Sequence, residues 1–112
     1  MEGKSQDTAI KKLLPHWEIM KKRDAEMFER TANWRVGITE DQTLPPKYKE
    51  LMMVAMCCVI RFEAGIKVHS QYALDCGATI DELYAAIVQS MLIGGVPAYR
   101  EGVMAVRDLF EE

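Results

Sequence analysis

Apolar positions recur along this chain with helical spacing. From Ala9 the residues Ile10, Leu13, Leu14, Trp17, Met20, Ala25 and Phe28 return largely by threes and fours, with KKRD and ER mostly on the opposite face. Pro15 cannot donate within a helix interior and its ring crowds the preceding turn. The pattern therefore predicts a short helix over Thr8–Leu14 and a longer one over His16–Asn33, after a polar, frayed start at 1–8. Trp34–Thr43, with Gly37, Thr39 and Asp41 and little periodicity, reads as a connection lying over the core.

Pro45 and Pro46 pre-set helical φ for a first turn, so a third helix is expected from about Pro46. It is apolar almost all round from Leu51 to Ile60, and a helix of that kind is normally enclosed by others. Gly65 weakens a helix by about 1 kcal/mol relative to Ala, which argues for a break between Arg61 and Gly65. A fourth helix then carries Ile66, His69, Tyr72, Ala73 and Cys76 and closes at Gly77. Thr79-Ile80-Asp81-Glu82 is a capping box that opens a fifth helix with Leu83, Ala86, Ile87, Ser90 and Met91 on one side. That helix is expected to end at Gly94-Gly95, and Pro97 to open a last one through Phe110. No alternating strand pattern occurs, so the fold class is all-α, a bundle of five to six short helices with short connections.

Composition narrows the function classes. A chain of 112 residues fits a single domain, 1–112, and buries roughly two-thirds of the surface of its unfolded form. A net charge of −3 and a pI near 5.4 lack the basic excess that nucleic-acid binding needs. The longest apolar run is about half the length that spans a bilayer, and MEGKSQDTA has no signal-peptide core, so no membrane partner and a cytoplasmic location are expected. Cys57, Cys58 and Cys76 have neither CxxC nor metal-ligand spacing, and Cys57 and Cys58 read as small buried hydrophobes. With only two histidines, neither a metal nor another cofactor is called for. Eight methionines, several in the central helix, are read first as core packing.

Candidate chemistry lies between Glu50 and Gly77. His69 sits mid-helix with Tyr72 at i+3 and Cys76 at i+7 on the same face. On one straight helix Glu50 and His69 would stand about 28 Å apart, too far to cooperate. With the break near Arg61–Gly65 and the two helices folded back, they can meet, and a carboxylate beside a histidine fixes its tautomer. Arg61, a cation at the hinge, could hold a carboxylate substrate. His16, beside Pro15, reads as a surface or capping residue, and Glu63 with Lys67 as a surface ion pair.

LPPKYKELMMVAMCCVIRF, the His of IKVHSQYALDCGATIDELYAAI, and IGGVPAYREGV together resemble the carboxymuconolactone decarboxylase family, which includes alkyl hydroperoxidase D-like proteins; the match covers roughly 44–103. The resemblance implies an all-α fold that assembles as a trimer or hexamer, and it places Glu50 and His69 at the family's proton relay. Peroxidase-like members carry CxxC upstream of the His, where this chain has Phe62 and Gly65, so disulfide-linked peroxide reduction is not expected. The branch implied is the decarboxylase-like one, acting on a small carboxylated lactone or similar ring compound. In it His69 transfers a proton, Glu50 orients His69, and Arg61, Phe62 and Tyr72 contact substrate. Two other readings stand beside this one: a non-catalytic oligomeric binding or scaffold protein, and a thiol-dependent reductase using Cys57, Cys58 or Cys76.

Overall fold

The computed structural model describes residues 14–111, all of them helical or in short connections, with no strand among the described residues. The helices are α1 (Pro15–Arg23), α2 (Ala25–Thr39), α3 (Pro46–Val59), α4 (Glu63–Asp75), α5 (Ile80–Gln89) and α6 (Met91–Ala105), followed by a 3-10 turn at Arg107–Leu109. Two compact units divide them, one ending at Thr43 and one beginning at Leu44.

In the first unit α1 packs against α2. The long helix expected over His16–Asn33 is broken in two, because Asp24 leaves helical geometry (φ −151°, ψ 75°) and its side chain accepts from Met27 N–H to cap a new helix. The chain stretch 34–39, expected as connection, continues α2; only 40–45 connects. Lys21 lies over the Phe28 ring and Arg35 over Trp17, and such cation–π contacts add to the pairing. The helix expected at Thr8–Leu14 falls outside the described residues apart from Leu14, the N-cap of α1.

The second unit holds the core. Central α3 contacts α4, α5 and α6. Val54, Cys57 and Cys58 of α3 pack with Ile66, Leu83, Ile87 and Ala98. The expected break follows α3 and is a Schellman motif: Phe62 N–H donates to Cys57 O and Arg61 N–H to Cys58 O, with Arg61 at φ +58°. Gly77 ends α4 in the same way, at φ +99°, with Ala78 N–H on Ala73 O. The fifth helix ends earlier than expected, at Gln89, and α6 starts at Met91; within α6 Gly95 leaves helical geometry (φ 75°, ψ −177°), so the end expected at Gly94-Gly95 and the start at Pro97 appear as a kink.

Two expectations about α3 are corrected. It is not enclosed: Met52, Met56 and Ile60 are 49%, 53% and 69% exposed on the single chain, and only one face is buried. The methionines do not fill the core either, since none among the described residues is buried. A run of apolar residues reports what the helix avoids, namely water, but three neighbouring helices cover only one side of it.

The capping box of α5 is complete. Thr79 N–H donates to Glu82 Oε1 and Glu82 N–H to Thr79 Oγ1, both at 3.0 Å, and Lys47 Nζ of α3 donates to Glu82 Oε2 at 3.3 Å. The Thr79 N–H, then Lys47, hold the Glu82 carboxyl below the usual carboxylate range. With its folded value below its unfolded value of about 4.3, Glu82 contributes fully above that pH and loses the contribution as pH falls through the folded value. The parent protein should therefore lose more of its melting temperature between about pH 6 and about pH 3 than Glu82→Gln does. Equal losses in thermal melts at both pH values would refute this role.

Candidate active site

Glu50 enters the site from the second turn of α3, a helix whose start is set by Pro45 as N-cap and Pro46 at the first helical position. The Arg61 turn reverses the chain, and α4 runs back alongside α3. One and a half turns into α4, His69 Nδ1–H donates to Glu50 Oε1 at 2.7 Å. Both side chains are about four-fifths buried, at 20% and 22% exposure. An ionised carboxylate can only accept, so Nδ1 carries the proton and Nε2 is left as the basic nitrogen. A general acid–base needs a ring held in one tautomer with the opposite nitrogen outside that hydrogen bond, and the Glu50 contact supplies the first of these. His16 lies elsewhere, against Trp17 in α1, with ring centroids 4.8 Å apart.

The remaining residues named from the sequence are placed as follows. Tyr72 meets His69 edge-on, with centroids 5.8 Å apart and the rings at 81°, which fixes the imidazole plane from a second side. Phe62, the N-cap residue of α4, is half exposed and lays its ring against Gly65, where Cδ2 would stand 2.6 Å from an added Cβ. Gly65 is one turn before His69, so Phe62 borders the same face of α4. Arg61 is exposed and its guanidinium reaches the Gly94 carbonyl of α6 at 3.5 Å. It bridges the hinge to α6, whereas Glu50, His69 and Tyr72 form one cluster.

Cys57 is buried, as the sequence led one to expect, but its place beside Gly65 was not foreseen. Its Sγ stands 2.6 Å from where a Cβ on Gly65 would be, so the sulfur fills the space that a side chain at that position would take. The signal was available: Cys57 is seven residues after Glu50 and shares its face of α3. Burial pushes the Cys57 thiol up, and the Glu50 charge adds to it. Burial likewise raises Cys76, with Glu50 and then Asp75 contributing. Cys58, buried and near the Ser90 hydroxyl, is pushed up to about 11, chiefly by burial. Three thiols shifted upward are protonated at neutral pH and poor nucleophiles, which counts against thiol-based reduction.

A cleft of about 330 Å³ opens in the same unit between α4 and the end of α6, but neither Glu50 nor His69 lines it. Among the described residues no group of three His, Cys, Asp or Glu could hold a metal ion. No helix there is long and apolar enough to cross a membrane.

The helices folded about the Arg61 hinge form the all-α bundle that the sequence resemblance implied. The chain belongs to the carboxymuconolactone decarboxylase family, whose model matches residues 25–108. It is 24% identical over 92 residues to the uncharacterized protein MJ1511 of Methanocaldococcus jannaschii, covering 82% of this chain and 86% of that one. Its fold is similar to the crystal structure of a candidate carboxymuconolactone decarboxylase from Burkholderia xenovorans LB400, with a TM-score of 0.75 and 24% identity over 88% of this chain and 80% of the other.

Proposed function

We propose that this protein is a proton-transfer enzyme that decarboxylates a small carboxylated lactone or similar ring compound. The observation that carries the reading is the 2.7 Å contact from His69 Nδ1 to Glu50 Oε1, which leaves Nε2 for chemistry. Loss of CO₂ from the carboxylate leaves an electron pair on the ring carbon, delocalised into the lactone carbonyl. Through the ring double bond that pair reaches the carbon next to the carbonyl, to which Nε2, charged with a proton from solvent, delivers the proton; the double bond moves to the carbon that lost CO₂, and one proton is consumed and one CO₂ released per turnover. Glu50 stabilises the imidazolium that forms in between. Tyr72 borders the imidazole, and Phe62 and Arg61 at the hinge supply apolar and cationic contacts for the ring and its carboxylate. The three free thiols suit a reducing, cytoplasmic setting.

The test is turnover of carboxymuconolactone in D₂O, followed by CO₂ release and by NMR of the product. One deuterium per product at the ring carbon next to the lactone carbonyl, where protonation completes the double-bond shift that makes the enol-lactone, supports the assignment. Absence of CO₂ release by protein that is folded by circular dichroism refutes it for this substrate class.

The exposed apolar surface of this unit favours one further element in this reading, a trimer or hexamer. Met52 and Met56 lie on the exposed face of α3 and Ile60 caps its end, while Leu92, Ile93 and Val96 near the kink are 77%, 82% and 63% exposed, an unusual amount of large apolar surface for a lone small chain. Light scattering should give a mass at least three times that of the chain, and Ile93→Glu should reduce it. A monomeric parent would contradict the assembly. The same exposed apolar surface favours a second reading, an oligomeric binding or scaffold protein without turnover, which the D₂O experiment separates from the first.

A further inference from the structure

The cleft between α4 and the end of α6 is not used by the proposed chemistry, and its wall is chemically specific. Lys67, Ser70 and Gln71 line one side from successive turns of α4, and Met104 to Leu109 line the other. Ser70 is 1% exposed and its Oγ makes no hydrogen bond. A helical serine can ordinarily turn its hydroxyl back to the carbonyl four residues earlier, and buried polar groups are nearly always satisfied. This one is left unpartnered at a cleft edged by two cations, Lys67 and Arg107, against one carboxylate, Asp108.

Among the described residues both cations sit in exposed ion pairs within their own segments, Lys67 to Glu63 at 3.1 Å and Arg107 to Glu111 at 3.2 Å. Exposed pairs of that kind contribute little, so each cation can exchange its partner for an incoming anion at small cost. Met104, Val106 and Leu109 supply apolar wall, and about 330 Å³ lies at the lower end of the range for small-molecule sites. His69 and Ser70 are consecutive on α4, so their side chains leave the helix about 100° apart and serve different sides of it.

We infer that this cleft is a second ligand site, separate from Glu50 and His69, that takes a small monocarboxylate with an apolar ring. The carboxylate sits between Lys67 and Arg107 and accepts a hydrogen bond from Ser70 Oγ once that buried hydroxyl turns toward the cleft, and the ring lies on Met104, Val106 and Leu109. Ser70 thereby gains the partner that the empty protein does not give it.

Benzoate is the probe, with benzamide as its uncharged counterpart, titrated into the full-length protein and followed by backbone amide shifts. Benzoate should give saturable shifts at Ser70 and across 104–109, and benzamide should bind about tenfold more weakly or less. Ser70→Ala should weaken benzoate about fivefold while leaving the unliganded melting temperature equal or higher, because it removes a buried unpaired hydroxyl. Lys67→Gln and Arg107→Gln should each weaken benzoate and leave benzamide unchanged. His69→Gln should retain benzoate binding, which keeps this site independent of the decarboxylase reading. Equal binding of benzoate and benzamide, shifts centred on Glu50 and His69, or no saturation at millimolar benzoate would each overturn the inference; the last would assign the cleft to water alone.

Discussion

Replacing His69 by Gln should lower CO₂ release by about two to four orders of magnitude while leaving helical circular dichroism intact. Glutamine can still donate a hydrogen bond toward Glu50, so the contact between α3 and α4 survives in kind. What it lacks is a second nitrogen that can take and return a proton. Glu50→Gln should cost less, about one to two orders, because the amide oxygen can still accept from Nδ1 but no longer balances the imidazolium. This variant has a readout outside turnover. Glu50 helps hold the Cys57 and Cys76 thiols up, so its neutralisation should bring both titrations down and make the exposed Cys76 react faster with a thiol reagent at neutral pH. Loss of turnover in Glu50→Gln with unchanged Cys76 reactivity would mean that the carboxylate acts elsewhere. Full turnover in His69→Gln would remove the proton-transfer assignment.

The convergence of Glu50 and His69 was legible because it follows from length and from one break. Nineteen residues of continuous helix keep the two apart, and an apolar run ending in Arg61-Phe62-Glu63-Ala64-Gly65 supplies a place to turn. The turn itself is made by Arg61 rather than by a glycine, at φ +58°. That detail was not legible, since a non-glycine residue in the left-handed region carries a cost that only the surrounding contacts offset. The burial of Cys57 was legible, but its contact with Gly65 was not. Its neighbours in sequence are all apolar, and its position beside Gly65 depends on how closely α4 approaches α3, a distance that no periodicity records.

The fold was most legible where a side chain and a backbone group satisfy each other locally. The capping box at Thr79 and Glu82 and the Schellman closure at Gly77 are both of this kind. Errors arose where the signal is distributed. Asp24 lies within a charged stretch that looks like one solvent face, yet it caps α2 and splits the expected helix. Residues 34–39 contain Gly37 and few apolar repeats, yet continuation of the hydrogen-bond ladder from α2 is easier than starting a new turn. For α3 the sequence states that ten consecutive residues avoid water, and says nothing of whether one chain has enough neighbours to cover them.

Gly102 gives the largest stability effect that the core predicts. It is buried on α6, and a Cβ there would stand 2.6 Å from Cys58 Sγ and 2.8 Å from Ile87 Cγ2. Both neighbours are themselves 0% exposed, so neither can swing into solvent. Gly102→Ala gains up to about 1 kcal/mol of helix propensity, but overpacking of this kind costs about 1–3 kcal/mol and should win, for a net loss of about 1–2 kcal/mol. Gly65→Ala meets Cys57 Sγ at the same 2.6 Å, but its other close neighbour is the half-exposed Phe62 ring, which can move outward, so its loss should be smaller. Gly37→Ala provides the reversed sign: nothing lies within 4 Å of its Cβ, and only the propensity gain remains. Urea unfolding of the three variants should rank Gly37→Ala above the parent, then Gly65→Ala, then Gly102→Ala. If the clash with sulfur is the cause, Cys58→Ala combined with Gly102→Ala should lose less than the two single losses together, since shrinking residue 58 makes room for the methyl. Strict additivity would place the strain on Ile87 instead.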